Sequence, residues 1–562
     1  MTKTADSVGF ELIMRPGVHP DRAVGKKVPP PPVHSVVRES GLLIERNASV
    51  RLRDGVRIYV DIYRSAGAMG EQPLPALLGW SPYGKHNTSD RLAWPAAGVA
   101  SGWMSAYTAF EAPDPMYWCA RGYAIVYADP RGAWYSEGEL RHGGMGEAED
   151  CFDLIQWIAE QSWSNGKVGM TGVSYLTAIQ WQVAPLKPPA LAALNPFEGF
   201  SDWYREFAYH GGIQETSFLV RGTGNLQWST TRTEDTLANA LAHPLYDAYW
   251  ASKECDLEAI ELPAYVVASW SDQGLHTRGT LEAYKRMRSP QKWLEVHGRK
   301  KWHYYYEPSN VERQRAFFDH FLKAPSTRVP AWPKVLIEVR ERANVGEMRA
   351  EKEWPLARTQ YRRLYLDARG TLRDTPATAA GEVRYDAKNG SAAFDYTFKE
   401  DTELTGHVKL RLNVEAVAAE DMDLFVAIQK VDDRGALVSF VFYAMLENGP
   451  VALGWLRVSH REVDAARSTP EQPVHTHARE QLLKAAERVS VDIEIWPSAT
   501  LFRVGERLRV VIQGHDVYQD GLPNAPFARH EKTRNQGTHV IHTGGNGGAT
   551  ASHLLIPVIP PS

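Results

Sequence analysis

Over residues 49–64 apolar and polar positions alternate on either side of Asp54-Gly55, a dipeptide suited to the positive φ angles of a tight turn, and the pattern predicts an antiparallel hairpin. The rhythm then changes to short, continuously apolar runs at 75–79, 123–129, 167–171, 191–194, 264–269 and 292–296. Segments of helical spacing lie between them. Over 147–161, for example, Cys151, Leu154, Ile155, Ile158 and Ala159 fall on one face. Buried strands alternating with helices predict an α/β fold, a mostly parallel sheet covered on both sides. From Phe197 to about Ile260 the alternation stops and the chain becomes helical and aromatic, with Trp203, Tyr204, Phe207, Tyr209, Trp228, Tyr246 and Tyr249, which predicts a cap over the C-terminal edge of the sheet. Two-residue alternation returns beyond about Pro330, at 408–414, 424–428, 489–495 and 508–512, and predicts an all-β sandwich. The resulting division is an N-terminal arm over 1–45, an α/β domain over 46–196 and 260–329, a helical cap over 197–259 and a β domain over 330–562.

Composition narrows the class. A chain of 562 residues exceeds one hydrophobic core, so several folded units are expected. A hydrophobic share of 43%, a charged share of 23% and a net charge of -4 are those of a soluble globular protein with no electrostatic bias toward nucleic acid. Cys119, Cys151 and Cys255 are too few for a disulfide framework and lack metal-ligand spacing, so they read as packing residues in a reducing compartment. The N-terminal stretch has no apolar h-region and runs into prolines at 29–32, which suggests an extended arm and not a signal peptide. No segment approaches the roughly 20 apolar residues that cross a bilayer. The expectation is a cytoplasmic enzyme without metal or cofactor, without nucleic-acid or membrane partners, and with homo-oligomerisation left open.

Candidate chemistry begins at Gly172-Val173-Ser174-Tyr175, where an apolar strand runs into a serine at a helix start. That is the layout of a nucleophile elbow, although the pattern G-x-S-x-G is only partly met, since Leu176 and Thr177 follow. The chain order Ser, acid, His is then available. Asp272 stands just past the run at 264–269, and His297 and His303 follow the run at 292–296. A neutral imidazole is needed to take the serine proton and an acid to fix its tautomer. His303, several residues into its loop, is favoured over His297 at the strand end. The oxyanion requires donors, for which the backbone N–H of Tyr175 and the hydroxyl of Tyr83, after the run at 75–79, are the candidates. For Tyr83 the donor role is favoured, with packing under the cap as the alternative.

These residues, together with Arg51-Leu52-Arg53-Asp54-Gly55-Val56, Ser81-Pro82-Tyr83, Asp129-Pro130-Arg131-Gly132, Ser136-Glu137-Gly138, Trp163-Ser164-Asn165-Gly166-Lys167, Glu353-Trp354-Pro355-Leu356, His542-Thr543-Gly544-Gly545 and Leu554-Leu555-Ile556-Pro557, resemble the cocaine esterase and X-prolyl dipeptidyl-peptidase family in order along nearly the whole chain. The resemblance implies an α/β-hydrolase domain, a helical cap before the acid-bearing strand, and a C-terminal jelly-roll, galactose-binding-like in form, that serves as structure. It implies Ser174 as nucleophile, Asp272 as acid, His303 as base and Tyr83 as oxyanion donor. Three positions depart from the family pattern. Thr177 stands where a glycine is common, Gly298-Arg299-Lys300-Lys301-Trp302-His303 replaces Gly-Pro-Trp-x-His, and bulky Trp134 and Tyr135 follow Arg131-Gly132-Ala133.

The expected function is a serine hydrolase cleaving an ester or amide of a small organic molecule through an acyl-enzyme. Trp134, Tyr135, Trp203 and Phe207 are candidate pocket residues, with packing as the alternative role. The rival readings are an X-Pro dipeptidyl aminopeptidase, with Glu198 or Asp202 holding the amino terminus, an acyltransferase, and a catalytically dead carbohydrate-binding or scaffold protein.

Overall fold

The computed structural model describes residues 9–23, 31–67, 70, 72–86, 95–325, 328–518, 528–545 and 550–561. The first residues of the expected arm and the start of its proline run lie outside the described residues. The hairpin forms as expected, with Leu42–Arg51 antiparallel to Arg57–Ser65 and Gly55 at φ 93° in the turn. The sheet then runs through Ala124–Asp129, Leu74–Trp80, Ser164–Val173, Leu191–Phe197, Ala264–Ser269, Lys292–His297 and Val335–Arg342, parallel from Ala124–Asp129 onward.

The apolar runs are buried on both faces for a reason visible in their register. Side chains alternate along a strand, so Leu74, Ala76, Leu78 and Trp80 pack into one core while Leu77 points into the other. Ala264, Val266 and Ala268 divide from Tyr265 and Val267 in the same way. One face is covered by the helix Met145–Ala159, which buries Cys151, Leu154, Ile155 and Ile158, and the other by Pro308–Phe318, which buries Phe317 and Phe318.

Two boundaries differ from the expected division. Ser35–Glu39 is not arm but the edge strand of the sheet, paired with Leu42–Arg51, and Met14–Pro16 pairs with the cap strand Arg232–Glu234. Strand Val335–Arg342, placed by periodicity in the β domain, instead extends the parallel sheet beside Lys292–His297. Its antiparallel neighbour Val345–Glu351 is half-buried or exposed along its whole length.

The cap carries the helices Phe218–Asn225 and Thr236–Ala242 and the turn Trp203–Ala208. The C-terminal domain is mostly β and antiparallel. Thr402–Val417 pairs with Val489–Phe502, Thr538–Thr543 and His553–Ile559, and Asp423–Val431 pairs with Ala452–Arg457 and Arg507–Gln513, around a core that includes Leu410, Leu412, Ile428 and Ile493. Among the described residues no helix is long and apolar enough to cross a membrane.

Candidate active site

The strand register gathers the chemistry at one edge. Val173 is level with Phe197, and Ser269 with His297, so the loops after these strands open on the same side. Ser174 follows Val173 at φ 61°, ψ -111° and precedes the helix Tyr175–Val183. A non-glycine residue in that region is strained by about 1–3 kcal/mol, and neighbouring contacts hold it there. The Ser174 N–H donates to Glu198 O at 3.0 Å, and its carbonyl accepts the N–H groups of Thr177 and Ala178. A Cβ on Gly172 would come within 2.5 Å of the Leu176 side chain, so the turn demands glycine there. Thr177, which replaces the family's glycine, ties the elbow to the next strand. Its hydroxyl accepts the Phe197 N–H at 2.7 Å and lies 2.9 Å from Gly172 O.

The imidazole that reaches the serine is that of His276. Its Nε2 lies 3.1 Å from Ser174 Oγ, and its Nδ1 makes a short hydrogen bond to Asp272 Oδ2. A proton on Nδ1 facing the carboxylate leaves Nε2 as the acceptor for the serine hydroxyl, the tautomer a general base requires. Asp272 and His276 are neighbours because the Asp272 carbonyl accepts the N–H groups of His276 and Thr277, forming a turn that leads into the helix Thr277–Arg286. All three side chains are buried.

Neither imidazole weighed from sequence meets the serine. His303, the favoured base, sits in the short helix Lys301–Tyr306 with its Nδ1 2.7 Å from Gly98 O and its ring edge against Trp103. His297 stacks on Tyr304 at 3.8 Å, with Nε2 3.0 Å from Glu198. The assignment of the base position to His303 is therefore corrected. His303 points toward the 98–103 loop because the loop after strand Lys292–His297 turns helical at Lys301, and this sends Lys301, not His303, inward. The signal for His276 was the spacing Asp272 to His276, which puts both side chains on one face of a single helical turn.

Lys301 is buried with its Nζ 3.1 Å from Asp272 Oδ2 and 3.2 Å from His276 Nδ1. Burial and the Lys301 charge push the His276 imidazole down to about 4, against the pull of Asp272. Burial raises the Asp272 carboxyl, but Lys301 and His276 outweigh it and hold the group below its usual range.

The two candidate oxyanion donors share the elbow. Tyr175 is the first residue of its helix, where an N–H has no intrahelical acceptor. The Tyr83 ring meets the Tyr175 ring edge-on at 6.0 Å and Phe110 at 5.3 Å. Its loop is anchored by Lys85, whose buried ammonium lies 3.0 Å from Asp61 and whose N–H donates to Asp129. Burial pushes the Asp129 carboxyl up to about 7.

The pocket candidates divide. Phe200 lies parallel to His276 at 6.1 Å, Trp203 packs on Phe200 and Tyr175, and Phe207 packs on Phe200 and Trp203. This aromatic group adjoins the serine. Trp134 does not belong to it. It is buried, stacks on Trp228 at 5.5 Å and donates from Nε1 to Pro82 O, so its bulk supports the Tyr83 loop from behind. Tyr135 turns toward His19. Among the described residues no group of three or more His, Cys, Asp or Glu could hold a metal ion.

Residues 54–242 match the X-Pro dipeptidyl-peptidase (S15 family), and residues 328–550 match the X-Pro dipeptidyl-peptidase C-terminal non-catalytic domain. Cocaine esterase of Rhodococcus sp. (strain MB1 Bresler) is 26% identical, over 92% of this chain and 98% of its own. Among solved structures, an aminopeptidase from a marine sediment archaeon, Thaumarchaeota archaeon, shares the fold with a TM-score of 0.69 at 18% identity, over 94% of this chain and 97% of its own. A CocE/NonD family hydrolase from Staphylococcus aureus superposes with a TM-score of 0.89 at 40% identity, over 94% of this chain and 96% of its own. With likeness of that degree along nearly the full length of both chains, this protein belongs to the CocE/NonD family of hydrolases, relatives of cocaine esterase and the X-prolyl dipeptidyl-peptidases.

Proposed function

We propose that the protein is a serine esterase working through an acyl-enzyme. The Ser174 oxygen attacks the ester carbonyl carbon while His276 Nε2 takes its proton. His276 then returns that proton to the departing alkoxide, water deprotonated by the same nitrogen attacks the acyl carbon, and the imidazolium gives its proton back to the Ser174 oxygen as the acid leaves. Asp272 holds the Nδ1–H and balances the imidazolium, and the Tyr175 amide and Tyr83 hydroxyl stabilise the oxyanion. The observation that carries this reading is the 3.1 Å contact between Ser174 Oγ and His276 Nε2, with Asp272 bonded to the other ring nitrogen.

Phe200, Trp203 and Phe207 beside the imidazole favour a small ester with an apolar or aromatic part. Dipeptide release would ask for a carboxylate ready to bind an amino terminus. Asp202 is held by Arg205 at 2.8 Å, Glu206 by Arg278 at 2.8 Å, and Glu198 lies against His297, which favours the ester reading. The buried, unpaired Cys119, Cys151 and Cys255 suit a cytoplasmic location. The C-terminal domain reads as a jelly-roll that serves as structure.

A panel of p-nitrophenyl esters and X-Pro anilides, with fluorophosphonate labelling, tests the reading. Ser174→Ala should abolish labelling and lower kcat by up to about a millionfold. His276→Ala should be comparably severe and His303→Ala mild. The opposite pattern for the two histidines would return the base to His303, and preference for the anilides would replace the esterase reading by the dipeptidase.

A further inference from the structure

We propose that Lys301 is a positioning residue whose buried ammonium keeps the His276 imidazole in its neutral, proton-accepting form in acid, so that the enzyme works at pH values where an ordinary histidine base has become charged. The inference rests on His276 being the base.

The geometry is unusual in its charge balance. In a serine–histidine–aspartate triad the carboxylate faces an imidazole that becomes positive during turnover, and nothing else need neutralise it. Here Asp272 Oδ2 receives both the His276 Nδ1–H and the Lys301 ammonium, and the ammonium stands 3.2 Å from the imidazole nitrogen. Because Nδ1 carries its proton toward Asp272, Lys301 cannot donate to it. The contact between the two is a charge facing a ring that would itself become a cation.

The other charged groups near this set do not cancel the ammonium in acid. Glu111 accepts from Trp302 Nε1, and burial pushes its carboxyl up to about 7, with Lys301 pulling the other way. Burial also raises Glu198 well above the usual range, with Lys301 opposing, and its neighbour His297 is pushed down to about 3 by burial. Phe200 lies nearly parallel to the His276 ring at 6.1 Å, and Tyr443, from the C-terminal domain, is buried near Asp272 and is pushed far up by burial. As pH falls, the carboxyls that burial raises lose their charge first, which leaves Lys301 and Asp272, one of each sign. Protonating His276 would leave two cations against one anion in a site closed to water, where like charges are poorly screened.

The sign follows. The base must be neutral, so activity is present above the His276 pKa and is lost as pH falls through it. The parent enzyme should keep most of its plateau kcat/KM for p-nitrophenyl butyrate at about pH 5, although a free imidazole, with a pKa of about 6.5, would be almost wholly charged there. In Lys301→Met the attraction of Asp272 is unopposed, and the ratio of kcat/KM at about pH 5 to that at about pH 8 should fall roughly tenfold, which corresponds to an acid limb displaced upward by about two units. Lys301→Gln, which keeps a donor to Asp272 without the charge, should behave like Lys301→Met, whereas Lys301→Arg should keep the parent's ratio. The pH dependence of fluorophosphonate labelling gives the same readout without a substrate. Circular dichroism at both pH values and recovery of rate on return to pH 8 separate titration from unfolding.

A parent enzyme that loses half its rate by about pH 6, or a folded Lys301→Met and Lys301→Gln with the parent's ratio, would overturn the proposal. If neither neutral variant folds, the position of the parent's own limb decides. An inactive His276→Ala alongside an unmoved limb would sink the role of Lys301 and leave the triad intact, whereas an active His276→Ala would sink the triad itself.

Discussion

Ser174 holds a backbone conformation that side chains avoid, and the strain lifts its oxygen toward an imidazole 3.1 Å away. Without Lys301 and the surrounding protein, the acid limb of activity would sit near pH 6.5, the reference value for histidine. Burial and the neighbouring ammonium push the His276 imidazole down to about 4, and the limb should follow it. Tyr83 makes a second residue-level case. If its hydroxyl bonds the oxygen of the tetrahedral intermediate, Tyr83→Phe removes an interaction made mainly in the transition state. kcat on one ester should then fall about a hundredfold to a thousandfold with KM nearly unchanged. Unchanged kcat with chemistry rate-limiting would mean the second donor is a backbone amide of the loop that Lys85 anchors.

At the scale of elements, the elbow is a joint between two strands and a helix, and Thr177 is its pin. In Thr177→Val the volume stays the same but the buried Phe197 N–H loses its acceptor, which costs about 1–3 kcal/mol. A lowered urea midpoint with unchanged m-value is the expected result, and a midpoint equal to the parent's would show that the hydroxyl carries no share of the joint. The elements themselves were legible because each central strand is apolar on both faces, and such runs stand out whatever the tertiary context. Leu74–Trp80 and Ala264–Ser269 were each found to within a residue or two. The serine elbow was legible for a similar reason, since a strand, a glycine and a helix start are all local. The base was not. Chain order placed it after the strand following the acid, but His276 pairs with Asp272 through one hydrogen-bonded turn. The departure of Gly298-Arg299-Lys300-Lys301 from the Gly-Pro-Trp pattern of the resemblance was the one trace of this loop's difference in the sequence. Trp134 was misplaced for another reason. An aromatic side chain near a site reads the same in sequence whether it faces the cavity or props a loop, and only the stack on Trp228 distinguishes them.

For the molecule as a whole, the C-terminal domain reaches the acid–base turn directly. Gln273, next to Asp272, accepts the Leu453 N–H at 3.1 Å and donates to Pro497 O at 3.2 Å, and a Cβ on Gly274 would crowd Ala528 at 2.9 Å. Farther along the same interface, Arg340 is wholly buried and donates to Val451 O and Ser498 Oγ. The C-terminal domain thus holds the turn that carries Asp272 and His276. Gln273→Ala should lower kcat about tenfold, the equivalent of about 1.4 kcal/mol of transition-state stabilisation, with KM little changed. A variant with the parent's kcat would show that the domain steadies the fold and not the turn. Carrying acid and base on one turn also has a mechanical meaning. Relative movement of the large pieces can alter the gap from serine to imidazole, while the distance from imidazole to carboxylate is spanned by only four residues of chain and travels with them as a rigid cassette. Warming or mutational loosening should therefore disengage the nucleophile from an acid–base pair that is still assembled, and catalysis should return whenever the gap recloses.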